Sequence, residues 1–381
     1  MTEGAFQSEM SDLDADDRIR VLFFTDADYT GGAEKYIYYL TRYLPCRKHV
    51  VIDGDPGPER LKDWLEEIDV PFTELPGGKV TDKVRDLFRV FRKLQPDILH
   101  INLPGPFDAH YSMVAFLARL AGIRNIVTTE HLPMFSPFLK SRVLKSIATM
   151  FIDCVITVSR DNRKHLISKH NVPERKIRVV YNGIPDPAEA GVAGKSNLPG
   201  GGGVFRMAVI GSLLEKKGQR EAIEALKELD ENIHLYIAGE GEMEEELIRV
   251  AGECGVRDRV HFMGYVDDVF ELLDSMDVLI VPSSVEATPY TVIEGMAVGV
   301  PVIASNIFGI PEMIEDGKTG FLIERANLVS AVRLLFENSS LRKDISSEAR
   351  CSYESKFRVE KSVNETLNIY REIMLEGKMK H

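Results

Sequence analysis

Cysteine is scarce in this sequence, and long apolar runs are absent from it. The four cysteines among 381 residues stand far apart and form no CxxC pair. Such spacing is typical of a reducing compartment and does not fit a zinc site. No apolar run approaches the ~18–20 residues that a membrane-spanning helix requires. The first residues lack a basic, apolar and cleavable leader, so we expect a cytoplasmic protein.

Negative charge is in excess but unevenly distributed. The formal net charge is −12, and half of it comes from residues 1–17, which hold six acidic residues and no basic one. We expect this segment to be a disordered acidic tail. Residues 81–180 reverse the balance, with 17 lysines and arginines against 8 aspartates and glutamates. This basic stretch indicates an anionic partner, or else a solvated face of mixed charge. The acidic overall balance and the lack of an aromatic-basic platform argue against nucleic acid.

Short apolar runs alternate with helical periodicity through the first half of the chain. Such alternation is typical of a parallel sheet covered by helices on both faces. Residues 18–190 are therefore predicted to form one α/β domain. Its predicted strands lie at 18–25, 49–52, 97–101, 124–129 and 153–158, and its predicted helices at 36–44, 59–68, 81–94, 109–121 and 138–151.

A glycine-rich stretch, 191–203, predicts a flexible linker, and the same alternation restarts beyond it. Residues 204–356 are therefore predicted to form a second α/β domain. Because open α/β sheets bind ligands at the carboxyl ends of their strands, two such domains predict a ligand cleft between them. The predicted elements are strands at 205–211, 233–238, 259–262, 277–281, 300–304 and 319–323, with helices at 218–229, 242–253, 267–274 and 289–298.

The segment 277–323 contains the most informative spacing. Thr288-Pro289 has the form of an N-cap followed by proline at the first helical position. A helix that starts just after a strand offers backbone N–H groups and a positive dipole end, which suit a phosphate. Glu286 and Glu294 form an E-x7-E pair and are suited to accept hydrogen bonds from ribose or hexose hydroxyls. The alternative is that both are surface charges.

A second loop, Gly211–Gly218, follows the first strand of the second predicted domain. Gly211 permits close backbone approach, and Lys216 and Lys217 can meet a diphosphate as cations. Lysine here would stabilise charge that develops on a departing phosphate. The alternative for a lone Lys-Lys-Gly is a charged surface turn.

The first predicted domain contributes two weaker signals. Gly31-Gly32 lies at a strand-to-helix turn and allows the backbone to approach an anion, although tight turns of this kind need glycine in any case. His131 follows the predicted strand that ends near Glu130 and would lie at the ligand-binding edge of the sheet. A structural histidine is the alternative.

Taken in order, these segments resemble the retaining GT-B glycosyltransferases of family 4, the glycosyl transferase group 1 class. The resemblance covers residues 19–375, and its motifs are specific in their order and spacing. The motifs are Gly31-Gly32-Ala33-Glu34, Thr128 to His131, Val158-Ser159, Asn182-Gly183-Ile184, Gly211 to Gly218, Ala238-Gly239-Glu240-Gly241, Gly264-Tyr265, the E-x7-E pair with Gly295 to Ala304, Gly309-Ile310-Pro311-Glu312 and Gly317 to Phe321.

The resemblance implies a fold and a set of residue roles. The fold would be α/β of the GT-B type, with two Rossmann-like domains whose parallel sheets face a central cleft, and residues 357–381 would return to the first domain as a helix. The implied catalytic residues are Glu286 at the transferred sugar, His131 at a sugar hydroxyl and Lys217 at the diphosphate. The implied donor contacts are Gly32, Ser212, Lys216, Lys217, Gly264, Tyr265, Glu286, Thr288, Pro289, Tyr290, Thr291 and Glu294, of which Glu294 would hold the ribose.

The same resemblance implies the stereochemistry and the absence of a metal. Family members retain the anomeric configuration by a front-face route in which the diphosphate helps to deprotonate the acceptor, so no enzymic nucleophile is predicted. No cofactor or metal is expected, and Asp267-Asp268 is interpreted as a helix start. Ser212 stands where many members have arginine, and Lys216 would have to supply the lost contact.

The implied reaction is transfer of a hexose-type sugar from a nucleotide-diphosphate sugar, with a UDP-sugar favoured and a GDP-sugar second. The acceptor would be a hydroxyl of a lipid-linked or cell-surface glycan, as in polysaccharide or lipopolysaccharide synthesis. The alternatives are a GT-B-fold sugar-nucleotide epimerase and a non-catalytic nucleotide-sugar-binding protein.

The predicted helix 138–151 bears on a membrane partner. Its apolar stripe and basic residues indicate an anionic membrane surface, with the protein at the inner face of the membrane. Packing of that stripe in the core is the alternative, and we favour it. The stripe is Leu139, Val143, Ile147 and Met150, and the basic residues are Lys140, Arg142 and Lys145.

Overall fold

The computed structural model describes residues 16–26, 31–53, 57–103, 109–132, 139–189 and 203–379. The chain divides into two compact units. The first unit is Met1–Tyr181 with Val359–His381, and the second unit is Asn182–Arg358.

The first unit alternates strands and helices and takes its last helix from the C-terminal segment. Because its strands are rich in apolar residues on both faces, they are covered by helices on both sides. Its elements are β1 (Arg20–Thr25), α1 (Gly32–Tyr43), β2 (Arg47–Ile52), α2 (Glu59–Glu67), β3 (Phe72–Glu74), α3 (Val80–Leu94), β4 (Ile98–Leu103), α4 (Ala109–Leu120), β5 (Ile126–Glu130), α5 (Leu139–Met150), β6 (Cys154–Thr157), α6 (Arg160–His170) and β7 (Ile177–Val179).

The sheet of the first unit has seven strands in the order β3-β2-β1-β4-β5-β6-β7. Every strand pair is parallel, and β1 lies between β2 and β4, with Val21 opposite Lys48 on one side and Ile98 on the other. The strand order therefore reverses between β1 and β4, which is the position where open α/β sheets form a ligand crevice. A core of buried apolar side chains, among them Leu22, Phe91 and Val155, fills the unit.

The second unit repeats this construction. Gly295, in the middle of one of its helices, permits close helix–sheet packing, since a Cβ there would lie 2.9 Å from side-chain carbons of Leu279 and Val302. Its elements are β8 (Phe205–Ile210), α7 (Gln219–Ala225), β9 (Ile233–Ala238), α8 (Glu244–Glu253), β10 (Val260–Gly264), α9 (Val269–Asp274), β11 (Val278–Val281), α10 (Tyr290–Val298), β12 (Val302–Ser305), α11 (Ile310–Met313), β13 (Phe321–Ile323), α12 (Leu328–Glu337) and α13 (Ser339–Lys356).

The sheet of the second unit has six parallel strands in the order β10-β9-β8-β11-β12-β13. Its order reverses between β8 and β11, which again marks a crevice position. The two predicted α/β sheets are thus confirmed. Strands β3 and β7 and helices α6, α11, α12 and α13 were not predicted. The two strands are three residues long, and α6 is too polar to show a clear apolar stripe.

The unit boundary differs from the predicted domain boundary. Residues 182–189 pack with the second unit rather than with the first. The Asn182 side chain donates to the Thr288 carbonyl, and the Ile184 amide donates to the Phe357 carbonyl. Arg350 and Arg358 both donate to the Asp186 carboxylate. The predicted linker 191–203 lies outside the described residues except for Gly203.

The final helix, α14 (Val359–Met379), belongs to the first unit. Its Arg371 donates to the Asp16 carboxylate, with Nε and Oδ1 3.0 Å apart, and Asp16 is only 3% exposed. Residues 1–15 of the predicted acidic tail lie outside the described residues. The prediction that the tail extends to residue 17 is wrong at Asp16, because the ion pair to α14 fixes that residue.

Helix α5 does not pack as its sequence indicated. Ile147 and Met150 are 42% and 68% exposed, whereas Ala148 and Thr149 are buried. Lys145 is buried and forms an ion pair with the buried Glu130 at the end of β5. The favoured core-packing interpretation is therefore wrong for Ile147 and Met150. Lys145 adds nothing to a basic surface, because its charge is paired inside the unit. The side chains of residues 139–144 lie outside the description.

No helix within the described ranges is long and apolar enough to cross a membrane.

Replacing Lys145 by methionine is expected to lower the free energy of unfolding of the first unit by about 3–5 kcal/mol, because Glu130 loses its buried cation. The single tryptophan, Trp64, lies on α2, so its fluorescence during urea titration follows this unit. The exposed Lys164→Met is the matched control and should change stability by less than about 0.5 kcal/mol. Equal urea midpoints for the two variants would refute a buried charge pair.

Candidate functional site

Two loops meet where the strand order of the second unit reverses. The lysine loop, Gly211–Gly218, follows β8, and the glutamate loop, Ser283–Pro289, follows β11. The amide and the hydroxyl of Ser284 both donate to the carbonyl of Lys216, at 2.8 and 3.2 Å. Because β8 and β11 are neighbouring parallel strands, both loops leave the same edge of the sheet, and these bonds join them side by side.

Glycine makes this close approach sterically feasible. Gly218 has φ = +76°, and a Cβ at this position would lie 2.3 Å from the Pro282 carbonyl oxygen at the end of β11. Gly239, after β9, has φ = +140°, and its Cβ would lie 2.1 Å from the Gly211 carbonyl oxygen. Neither distance is compatible with any side chain, so both glycines are required by packing as well as by conformation.

An ion pair connects the two loops. Lys217 Nζ donates to Glu286 Oε1, and the Ser283 hydroxyl donates to the same oxygen at 3.2 Å. The Glu286 side chain is 9% exposed, and that of Lys217 is 26% exposed. The carboxylate is thus fixed by two donors in a poorly hydrated position, while the ammonium group keeps access to solvent. The predicted alternative of a charged surface turn does not describe this lysine, which is tied to the neighbouring loop.

The second glutamate of the E-x7-E pair is also buried. Glu294 lies in the second turn of α10 and is 1% exposed, and Glu286 is 7% exposed. The alternative that both are surface charges is therefore wrong. A glutamate that is almost fully buried without a hydrogen-bonding role is uncommon, because desolvation disfavours its charged form.

The start of α10 differs from the sequence prediction by one residue. Pro289 occupies the N-cap position with φ = −64°, and the helix begins at Tyr290 rather than at Pro289. No side chain caps it, so Thr288 is not the predicted N-cap. The Thr288 carbonyl instead accepts a hydrogen bond from Asn182 at 2.9 Å. The physical reason is that proline tolerates the extended backbone conformation that a cap requires.

The remaining predicted donor contacts lie around these loops. The carbonyl of Ser212 accepts a bond from Gln219 at 3.0 Å, and the carbonyl of Gly264, at the end of β10, accepts one from the Gly239 amide at 2.7 Å. The edge formed by the ends of β10, β9, β8 and β11 thus brings together most of the predicted set. Its members here are Ser212, Lys216, Lys217, Gly264, Tyr265, Glu286, Thr288, Pro289, Tyr290 and Thr291, with Glu294 one turn into α10.

Asp268 has the role that its sequence context indicated. Its side chain accepts a bond from the Glu271 amide at 3.0 Å and so caps α9. Across the described ranges, no group of three or more histidine, cysteine or acidic side chains is arranged to hold a metal ion.

The first unit has a comparable edge, where Gly31 and Gly32 follow β1. Glu34 reaches back and accepts a hydrogen bond from the Gly31 amide at 2.8 Å, which satisfies one donor of the α1 N-terminus. Burial raises the pKa of the Glu34 carboxyl to about 7. Gly32, the first residue of α1, is exposed.

His131 is tied to the same turn through a residue that the sequence analysis missed. Its Nε2 lies 2.6 Å from Asn102 Oδ1, and Asn102 Nδ2 donates to the Ala33 carbonyl at 3.0 Å. The Tyr36 ring meets the imidazole edge to face at 4.9 Å. Burial lowers the pKa of His131 to about 3, so its ring is neutral at physiological pH. The signal that could have identified Asn102 is a polar residue in strand β4, whose other residues apart from His100 are apolar.

A second buried histidine links this region to the final helix. His100 Nδ1 lies 2.5 Å from the Tyr370 hydroxyl, and its Nε2 lies 2.7 Å from the Thr129 hydroxyl. Thr129 is also hydrogen-bonded to the Tyr36 hydroxyl at 3.1 Å. Burial lowers the pKa of His100 to about 3 and raises that of Tyr36 to about 12. These groups therefore form a neutral, buried network behind His131.

Comparison with known proteins identifies both units. Residues 201–351 match the family model for "Glycosyl transferases group 1", and residues 30–186 match that for "Glycosyltransferase Family 4". The chain is 34% identical over 376 residues to EpsD of Bacillus subtilis, a protein assigned to the glycosyltransferases, and the match covers 93% of this chain and 97% of that one.

Two further relatives match with lower coverage or identity. An uncharacterized glycosyltransferase of Methanocaldococcus jannaschii is 31% identical over 232 residues, which span 57% of this chain and 59% of that relative. An Escherichia coli enzyme named UDP-Gal:alpha-D-GlcNAc-diphosphoundecaprenol alpha-1,3-galactosyltransferase is 24% identical over 312 residues, or 76% of this chain and 79% of the enzyme.

The fold also matches solved structures. HepE of Anabaena, crystallised in complex with UDP-glucose, superposes with a TM-score of 0.78 at 20% identity, and the match covers 93% of this chain and all of HepE. At this identity the likeness concerns the fold, which is GT-B. With the near full-length match to EpsD and the two family models, it follows that the chain belongs to the group 1 glycosyltransferases of family 4.

Proposed function

We propose that this glycosyltransferase moves a hexose-type sugar from a nucleotide-diphosphate sugar to a hydroxyl of a lipid-linked or cell-surface glycan, with retention of anomeric configuration. The observation that carries the proposal is the contact between Lys217 and the buried Glu286 where the strand order of the second unit reverses. A cation and a buried carboxylate at such a position suit a diphosphate and a sugar hydroxyl, respectively.

The geometry of the Lys217–Glu286 pair supports a separate role for each residue, with Lys217 at the diphosphate and Glu286 at the transferred sugar. An ammonium group has three N–H donors, and Lys217 uses one of them on Glu286. Its remaining donors serve the diphosphate, where they stabilise the charge that builds up as the sugar departs. The positive end of α10, which begins at Tyr290, adds to the same effect. Glu286, held by Lys217 and Ser283, then accepts a hydrogen bond from the transferred sugar.

Glu294 serves the other end of the donor. It lies in the second turn of α10, the helix that follows the glutamate loop, and it is almost fully buried. A carboxylate can accept two hydroxyl donors at once, so it suits the vicinal hydroxyls of a ribose. The UDP-glucose complex of HepE, which has the same fold, favours a UDP-sugar over a GDP-sugar for this chain.

The catalytic step needs no protein nucleophile in this proposal. A front-face route lets the departing diphosphate take the acceptor proton, so the protein only has to orient the reactants and stabilise charge. We therefore also propose that the reaction requires no metal or cofactor, since Lys217 and the α10 N-terminus supply the positive charge that a cation would otherwise bring.

The acceptor is proposed from relatives and from one surface. The Escherichia coli relative acts, by its name, on a sugar carried by diphosphoundecaprenol. In this chain Phe116 and Leu120 on α4 are 43% and 58% exposed, and Ile147 and Met150 are exposed on α5, which packs against α4. We define these four side chains as the α4–α5 patch. Exposed apolar side chains on adjacent helices suit the headgroup region of an anionic membrane, where a lipid-linked acceptor would be found at the inner face.

Replacing Lys217 by methionine is expected to lower kcat about 10²-fold or more, because one charge that stabilises the leaving diphosphate is lost. Transfer is measured with UDP-glucose and undecaprenyl-diphosphate-linked N-acetylglucosamine, and the anomeric coupling in the proton NMR spectrum of the product reports the configuration. The exposed Lys227→Met is the control and should retain wild-type kcat. An inverted product would contradict retention, and an epimerised sugar formed from the donor alone would favour the epimerase.

Replacing Glu294 by glutamine is expected to weaken UDP binding by roughly 10- to 100-fold, because a hydrogen bond to a charged acceptor contributes about 1.5–3 kcal/mol. The measurement is isothermal titration with UDP, after the melting temperature has shown that the variant is folded. Glu337→Gln, at an exposed position on α12, is the matched control. Equal affinity of the two variants for UDP would remove Glu294 from the donor site.

Replacing Ile147 and Met150 together by glutamate is expected to reduce vesicle binding about tenfold, because two apolar side chains no longer enter the interface. The assay is co-sedimentation at low salt with vesicles containing phosphatidylglycerol. Leu334→Glu changes a side chain that is 44% exposed on α12 and should bind like the wild type. If the wild type stays in the supernatant under these conditions, the α4–α5 patch is not a membrane-binding surface.

A further inference from the structure

The side chain of Asn102 connects two parts of the first unit that are predicted to face the substrate. It lies at the end of β4, is fully buried, and contacts His131 on one side and the Ala33 carbonyl in the first turn of α1 on the other. Nothing in the family motifs of this chain draws attention to this residue. Its two contacts nevertheless determine the chemistry that His131 can offer.

The orientation of the Asn102 amide follows from its partners. The Ala33 carbonyl can only accept a hydrogen bond, so the Asn102 NH2 group must face it, at 3.0 Å. The opposite orientation would place two carbonyl oxygens in contact, with mutual repulsion. The Asn102 oxygen therefore faces His131 Nε2 at 2.6 Å.

This orientation in turn determines the position of the imidazole proton. An amide oxygen can only accept, so His131 Nε2 must carry a hydrogen and donate it. The buried ring is neutral and has one proton, so Nδ1 carries a lone pair that can accept a hydrogen bond. No hydrogen-bond partner of Nδ1 occurs among the residues described. Tyr36 fixes the ring plane from the side, since its own hydroxyl is held by Thr129.

We propose that Asn102 is a positioning residue that holds His131 as the Nε2–H tautomer, so that Nδ1 accepts a hydrogen bond from a substrate hydroxyl. The identity of the substrate in this inference rests on the proposed function. The tautomer of His131 does not, because it follows from the contacts of Asn102 alone. A nitrogen that can only accept selects a sugar with a free hydroxyl at that position. It gives no bond to a deoxy or O-methylated sugar. Asn102 also ties this acceptor to the turn containing Gly31 and Gly32, so the two elements keep a fixed spacing.

The tautomer can be measured directly and without turnover. Long-range ¹H–¹⁵N correlation spectra of the full chain, labelled at histidine, distinguish a protonated ring nitrogen from one that carries a lone pair. The His131 signals are assigned as those that disappear in His131→Gln. The expected result for the wild type is a protonated Nε2 and an unprotonated Nδ1. A protonated Nδ1, or an even mixture of tautomers, would overturn the proposal.

Two variants separate positioning from a merely structural role. Asn102→Asp keeps an oxygen acceptor for His131 and should keep the proton on Nε2, although its charge also favours a second proton on Nδ1. Asn102→Ala removes the acceptor and should leave Nε2 only partly protonated. Both variants lose the donor to Ala33, so damage to that contact alone would affect them equally. Equal tautomer populations in the two variants would therefore count against the proposal.

Kinetics then test the role of the tautomer in recognition. With the intact sugar donor, Asn102→Ala is expected to lose about tenfold or more in kcat/KM relative to the wild type, through an increase in KM. With a donor that lacks the recognised hydroxyl, the two proteins should differ little. A single set of monodeoxy UDP-sugars identifies the position. An equal loss with every donor would refute recognition through Nδ1, whereas absence of transfer by the wild type with any donor would contradict the proposed function and leave the measured tautomer standing.

Discussion

The ion pair between Lys217 and Glu286 joins two loops that are 69 residues apart in sequence and belong to neighbouring strands. Its position depends on the reversal of strand order between β8 and β11, because this is the place where an open α/β sheet forms a ligand crevice. The surrounding structure serves this arrangement. Glycines remove the side chains that would keep the loops apart, and backbone bonds from Ser284 fix their spacing.

The pair also has an electrostatic consequence for any ligand. A buried carboxylate is costly to desolvate, and Lys217 and Ser283 compensate that cost for Glu286. In the proposed function, the diphosphate of the donor would share this lysine with Glu286, so the cationic site is already formed before the donor binds. The first unit uses the opposite principle. His131, His100 and Tyr36 are kept neutral by burial, so the proposed recognition by His131 would depend on hydrogen-bond direction rather than on charge.

The sequence predicts the architecture well because parallel strands buried on both faces appear as short apolar runs between helical periods, as in β1, β9 and β11. The E-x7-E pair and Lys217 could be selected from the sequence because charged residues are conspicuous in loops that follow apolar strands. The sequence does not show which charged side chains are buried. Nothing in the local pattern of α5 shows that Lys145 turns inward to Glu130 while Ile147 faces solvent, because a partner on another element decides this. Asn102 was missed for the same reason. Its role depends on contacts with His131 and Ala33, which are 29 and 69 positions away from it in the sequence.

The hydrogen bond between Tyr370 and His100 connects α14, the last helix of the chain, to the buried core of the first unit. Tyr370 lies on α14, which follows the rest of that unit by more than 170 residues. Its hydroxyl is hydrogen-bonded to Nδ1 of His100, a fully buried histidine. A ribosome must therefore complete the entire second unit before this part of the first can close. Until then Nδ1 of His100 lacks its tyrosine partner, although Nε2 can already bond to Thr129, so the order of translation and the order of assembly are not the same in this protein.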